Sequence, residues 1–77
     1  MVDKSLSFGM QNFFWVEEDT ADGTYDYNSF QNKKGTILIL RTNKAGTSGL
    51  YWAGSGVYAT IWAAKGDYTY VLPAALK

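Results

Sequence analysis

Residues 35–72 set β-branched and aromatic side chains between glycine turns. The run Thr36-Ile37-Leu38-Ile39-Leu40-Arg41-Thr42 is followed by a Gly-rich bend, Leu50-Tyr51-Trp52-Ala53, and Gly54-Ser55-Gly56. Val57 to Ala64, the turn Lys65-Gly66-Asp67 and Tyr68 to Leu72 complete the pattern. Apolar stretches of this length, punctuated this way, are the mark of consecutive antiparallel strands. In residues 36–42, Ile37 and Ile39 point one way and Leu38 and Leu40 the other, which predicts a strand covered on both faces. Pro73 cannot donate to a ladder and ends the last strand.

The turns also predict a register. With two-residue hairpin turns at 54–56 and 65–67, one face collects Leu50, Trp52, Val57, Ala59, Ile61, Ala63, Tyr68, Tyr70 and Leu72. The other collects Tyr51, Ala53, Tyr58, Thr60, Trp62, Thr69 and Val71. The first is the better core. The second is apolar enough to be uncomfortable in water, which marks Tyr51, Tyr58, Trp62 and Val71 as candidate subunit-interface residues.

Upstream, residues 12–17 carry Phe13-Phe14-Trp15-Val16 and predict a strand. Residues 5–11 fit either a strand or a short N-terminal helix with Ser5 as its cap. Residues 17–23 form an acidic loop whose Asp22-Gly23 pair signals a turn. Its acids lack the tight Asp-x-Asp-x-Asp-Gly spacing of a calcium loop, so no metal site is expected. Residues 24–30 alternate Tyr25 and Tyr27 with Asp26 and Asn28, as in a half-exposed strand. Five or six short strands in one domain spanning residues 1–77 give an all-β fold, a strongly bent antiparallel sheet or small barrel.

Length makes support from outside the core important. A 77-residue chain buries only about 60% of its unfolded surface. This one has no Cys and no His, so disulfides and ordinary zinc sites are excluded. Triads, cysteine nucleophiles and imidazole acid–base chemistry go with them; no catalytic residue and no cofactor is expected. Self-association is the remaining support. An aromatic content of 17% exceeds what so small a core encloses easily. No apolar run reaches the roughly 20 residues of a membrane span, and the N-terminus lacks a signal-peptide layout. The expectation is a soluble chain, cytoplasmic or virion-associated by default.

Charge is balanced overall but split by position. Residues 1–28 hold six acids and one base, and residues 29–77 hold six bases and one acid. The halves either neutralise each other inside one fold or attract head to tail between subunits. The strand directions bring Arg41, Lys44 and Lys65 to the same end as the acidic loop.

The stretch Ile61-Trp62-Ala63-Ala64-Lys65-Gly66-Asp67-Tyr68-Thr69-Tyr70-Val71-Leu72 resembles the second motif of the Sm-like small β-barrels: an apolar strand, a basic residue with Gly, then another apolar strand. Lys65 stands where that family has Arg, and Gly66 matches its Gly. The first Sm motif is not matched: its aspartate would fall at Arg41 and its asparagine near Ala45. The resemblance implies a ring of subunits joined strand edge to strand edge, with single-stranded RNA held near the loops. Lys65 and Gly66 are the positions it carries over. Arg41, Asn43 and Lys44 occupy the neighbouring loop region, and Tyr68 beside Lys65 offers a stacking surface next to a phosphate contact. The bland alternative is a solvated turn.

Three roles follow. The first is a non-enzymatic, ring-forming homo-oligomeric module with single-stranded nucleic acid as a candidate partner. The second is a structural part of a larger assembly such as a phage or viral particle. The third is a carbohydrate- or ligand-binding module that stacks its ligand on Tyr51, Tyr58 and Trp62.

Overall fold

The computed structural model describes residues 13–46 and 49–72. Four strands, β1 (Phe14–Asp19), β2 (Tyr25–Gln31), β3 (Thr36–Asn43) and β4 (Gly49–Ser55), are followed by a short helix, α1 (Tyr58–Ala63), and a 3-10 turn, Lys65–Asp67. The strands form one antiparallel sheet in the order β1-β2-β3-β4. Any account of residues 5–11, as helix or strand, falls outside the described residues.

Burial on both faces is what fixes β3. Ile37, Leu38 and Ile39 are completely buried and Leu40 nearly so, as the run of four aliphatic residues predicts. On the near face, Ile37 and Ile39 join Tyr27, Ile61 and Tyr70, with Tyr25, Leu50, Trp52, Tyr58, Trp62 and Tyr68 packed around them. On the far face, Leu38 and Leu40 meet Phe30 and Tyr51, with Phe13 against them. β2 is not the half-exposed strand expected, because both of its faces are covered: Tyr27 joins the near-face cluster and Phe30 the far-face one. Tyr27 to Phe30 are all buried.

The β2–β3 and β3–β4 turns are closed by asparagine. At the β2–β3 turn, Asn32 Oδ1 accepts the Lys34 and Thr36 amides at 3.0 and 2.9 Å, and Gly35 supplies the positive φ of 85°. At the next turn Asn43 Oδ1 accepts the Ala45 amide at 2.9 Å. These side chains stand in for backbone acceptors.

The largest departure from expectation lies beyond β4. Residues 57–64, expected as a strand, form α1 and its exit. Residues 68–72, expected as the next strand, contribute a single bridge: the Tyr51 and Val71 amides each donate to the other's carbonyl, at 2.7 and 2.9 Å. The described residues therefore make an open four-stranded sheet with a helix on one face, rather than five or six strands bent into a barrel. The physical reason is in the spacing. As a strand, this segment would split Tyr58 and Trp62 from Ile61 onto opposite faces. As a helix, positions 58, 61 and 62 share one side, and all three pack toward the near-face core. Gly56, at φ 141°, turns the chain back over the sheet. Of the residues set on the better face, Leu50, Trp52, Ile61, Tyr68 and Tyr70 share one core cluster, but Val57, Ala59, Ala63 and Leu72 are exposed, and Tyr58 and Trp62 join the cluster instead.

Six residues without a side-chain N-cap cannot hold a helix alone. Packing of Ile61 holds α1 in place, and burying such a side chain is worth about 1.5–3 kcal/mol. Close packing also explains Gly54. A Cβ there would lie 2.5 and 2.7 Å from ring carbons of Trp52, whereas one at Gly23 would meet nothing. Gly54→Ala should therefore lower stability by about 1–3 kcal/mol in urea unfolding, with Gly23→Ala changing it by less than about 0.5 kcal/mol. Equal effects of the two would remove the close packing of Trp52 over Gly54 as the explanation.

Candidate binding site at the basic and acidic end

The end of the sheet formed by the start of β2, the end of β3 and the 3-10 turn gathers Arg41, Lys44 and Lys65 beside the acidic loop, as the strand directions require. Two of the bases are already engaged. Lys44 Nζ lies 2.6 Å from Asp26 Oδ1 and donates to the Thr20 carbonyl at 2.9 Å. Lys65 Nζ lies 2.8 Å from Asp19 Oδ2, donates to the Trp62 carbonyl at 3.4 Å, and sits 4.4 Å from the Trp62 ring centre. Partly exposed pairs of this kind contribute up to about 1 kcal/mol each. The oppositely charged halves of the sequence thus meet within one chain at these two pairs.

Hydrogen bonds set the acids' ionisation. The bond from Lys65, with the Ala21 amide second, holds the Asp19 carboxyl below its ordinary value of 3.8. The Thr24 and Tyr25 amides, both 2.8 Å from Asp22 Oδ2, do the same for Asp22. The acidic loop therefore closes on its own backbone. No group of three metal-ligating side chains occurs among the described residues.

Arg41 is held differently. Its guanidinium carbon lies 4.2 Å from the Tyr25 ring centre and 4.7 Å from the Tyr70 ring centre. Tyr70 is buried, and its hydroxyl donates to the Lys65 carbonyl at 2.7 Å. Burial raises the ionisation of both Tyr70 and Tyr27 above the ordinary phenol value. Among the described residues no carboxylate pairs with Arg41. Tyr25, Arg41, Asn43 and Leu50 line a shallow recess beside it.

The other residues singled out in the sequence are dispersed. Asn43 closes the β3–β4 turn. Gly66 is exposed in the 3-10 turn. Tyr68 stacks on Trp52 at 4.1 Å, with the rings 7° apart, and its hydroxyl donates to the Ile61 carbonyl. Of the four interface candidates, Tyr58 and Trp62 lie half-buried on α1, stacked at 6.2 Å. Tyr51 is buried on the far face, and Val71 is bridged to it. The four do not form one surface.

Sequence reasoning missed the partners of Arg41. Tyr25 and Tyr70 are far apart in the chain, and only the return of the tail over the sheet joins them. It also missed a polar clasp. Ser29 Oγ and Tyr58 OH are 2.7 Å apart, and Tyr58 OH donates to Glu17 Oε1 at 2.7 Å. The Glu17 amide donates to Ser29 Oγ at 3.2 Å. Burial, reinforced by the bond to Glu17, pushes the Tyr58 phenol up to about 12. With Ser29 wholly buried, no substrate reaches its hydroxyl. The clasp ties β1 and β2 to α1.

A scan against models of known families, a search of curated proteins and a search of solved structures each found no match.

Two titrations test this electrostatic arrangement. Asp19 is lowered in the folded state, so its pairing stabilises the protein above the ordinary aspartate value and is lost as pH falls through the folded value. Lys65→Met should raise the Asp19 carboxyl toward 3.8 in an NMR pH titration; no movement would detach Lys65 from Asp19. Tyr58 is raised, so its contribution is complete below about 10, the unfolded phenol value, and disappears as pH climbs through the folded value. Tyr58→Phe should remove one late-ionising phenol from the ultraviolet titration.

Proposed function

We propose that this chain is a non-enzymatic module that associates with copies of itself through the edge strand β1. The observation that carries the reading is a contiguous run of exposed apolar residues on that edge. Phe14 is 58% exposed, Val16 38% and Trp15 37%, and β1 has no outer neighbour among the described strands. A strand at the edge of a sheet is where another chain can add itself. The defences on β1 are partial. A register irregularity falls at Val16, and acids follow it, but Glu17 and Asp19 bind inward to Tyr58 and Lys65.

Charge supports a second copy as the occupant. Phe14 pairs with Gln31, next to the turn bearing Lys33 and Lys34, and Asp19 pairs with Tyr27, next to the acidic loop. Two β1 strands run antiparallel would bring the lysine turn of each copy toward the acidic end of the other. Such rim charges orient and speed association more than they tighten it. A two-fold pair satisfies this directly. The Sm-like ring would instead join β1 to β4, and Val71 already bridges the β4 edge at Tyr51.

Single-stranded nucleic acid is the weaker reading. Lys44 and Lys65, two of the expected contacts, are engaged by Asp26 and Asp19, and net charge is zero. A structural part in a repetitive assembly agrees better with an apolar edge.

Light scattering should give a solution mass of at least two chains. The double variant Phe14→Lys and Val16→Lys should give one chain with unchanged circular dichroism, because both positions are exposed. A single-chain mass for the unmodified protein across the micromolar range overturns the reading. Filter binding to oligonucleotides at low and high salt should retain nothing; retention that weakens with salt would instead favour the nucleic-acid role.

A further inference from the structure

Arg41 is held against two aromatic rings and, among the described residues, has no ion pair. Lys44 and Lys65 each have a carboxylate and a carbonyl. The Arg41 guanidinium has two tyrosine rings and, among the described residues, neither a hydrogen bond nor an ion pair. Stacking on a ring face uses the plane of a guanidinium and leaves its N–H edges free. Tyr70, one wall, is buried and fixed by its hydroxyl bond to Lys65. Tyr25, the other, follows the turn that Asp22 closes and meets Tyr27 edge-on at 6.3 Å. The head group is therefore held in place while its donors are unused, and holding it in advance lowers the ordering cost of binding.

The geometry points to Arg41 as the anchor of an oxyanion site for a monocarboxylate that carries an apolar or aromatic group. A guanidinium fork matches two coplanar oxygens bidentately, and one positive charge balances one carboxylate. A phosphate monoester brings close to two negative charges and would need a second cation. The nearest base along the chain, Lys44, is bound to Asp26, and the acidic loop at this end repels further negative charge. Leu50, Tyr25 and Asn43 line the shallow recess beside Arg41, so the ligand's body meets one leucine, a tyrosine and one amide. The site lies on β2, β3 and the returning tail, apart from the outer edge of β1, so it stands or falls independently of self-association.

NMR titration of the full chain, following the Arg41 side-chain N–H and Leu50 methyl signals, tests this with four probes. Benzoate and N-acetyl-phenylalanine represent a free acid and a peptide C-terminus. N-acetyl-phenylalanine amide and phenyl phosphate remove the charge or double it. Saturable shifts with either carboxylate are expected, with dissociation constants on the order of 1 mM, the range for a fragment held by one ion pair. The stronger of the two identifies the source. Arg41→Gln should weaken binding about tenfold or more, and Arg41→Lys should not restore it, since a lysine has no fork. Equal shifts with the amide, tighter binding of phenyl phosphate, or no saturation by either acid would each overturn the proposal. None of those three outcomes depends on a variant folding.

Discussion

Burial of β3 on both faces is the constraint from which the rest of the structure follows. Four consecutive aliphatic residues cannot be satisfied by one layer, because alternate side chains leave the strand in opposite directions. Ile37 and Ile39 require a cover on the near face. The sheet itself cannot provide it, so the chain beyond β4 turns back to supply Ile61 and Tyr70. The helix is thus a consequence of the strand. Its own sequence, rich in β-branched and aromatic residues and without a side-chain cap, would not call for one.

The same return of the tail organises the polar groups. It carries Lys65 to Asp19, Tyr58 to Glu17 and Ser29, and Tyr70 to Arg41. Every buried side-chain nitrogen and oxygen among the described residues has a partner, including those of the wholly buried Asn28, whose Oδ1 accepts from Trp15 Nε1 at 2.9 Å. In so small a domain an unmet buried group would cost about 1–3 kcal/mol, a large share of total stability.

The first four strands were legible because their signals are local, although β1 runs on to Asp19 through residues expected in the acidic loop. Alternation, glycine and asparagine turns, and the doubly apolar β3 each act within a few residues. The charge split was legible too, and the shared end for acids and bases follows from strand direction alone. Residues 57–72 were not legible as a hairpin or as a helix from propensity. Tyr58, Thr60 and Trp62 alternate like a strand, while Tyr58, Ile61 and Trp62 also fit one side of a helix. What chooses between them is the uncovered near face, a tertiary demand made by residues twenty positions earlier. The Arg41 site was half legible: the arginine was singled out, but its two rings arrive from opposite ends of the chain.

The neighbour-to-neighbour order of the sheet bears on how the chain is assembled. Each strand pairs with the one made just before it, so every closure of the ladder spans a short loop and costs little chain entropy. The exception is the return of Val71 to Tyr51, which waits for α1, itself too short to form unaided. The order of synthesis and the order of pairing coincide, and the last contact to close is also the one that completes the near-face core. The segment that must wait for the helix also carries Tyr70, the inner wall of the Arg41 clamp.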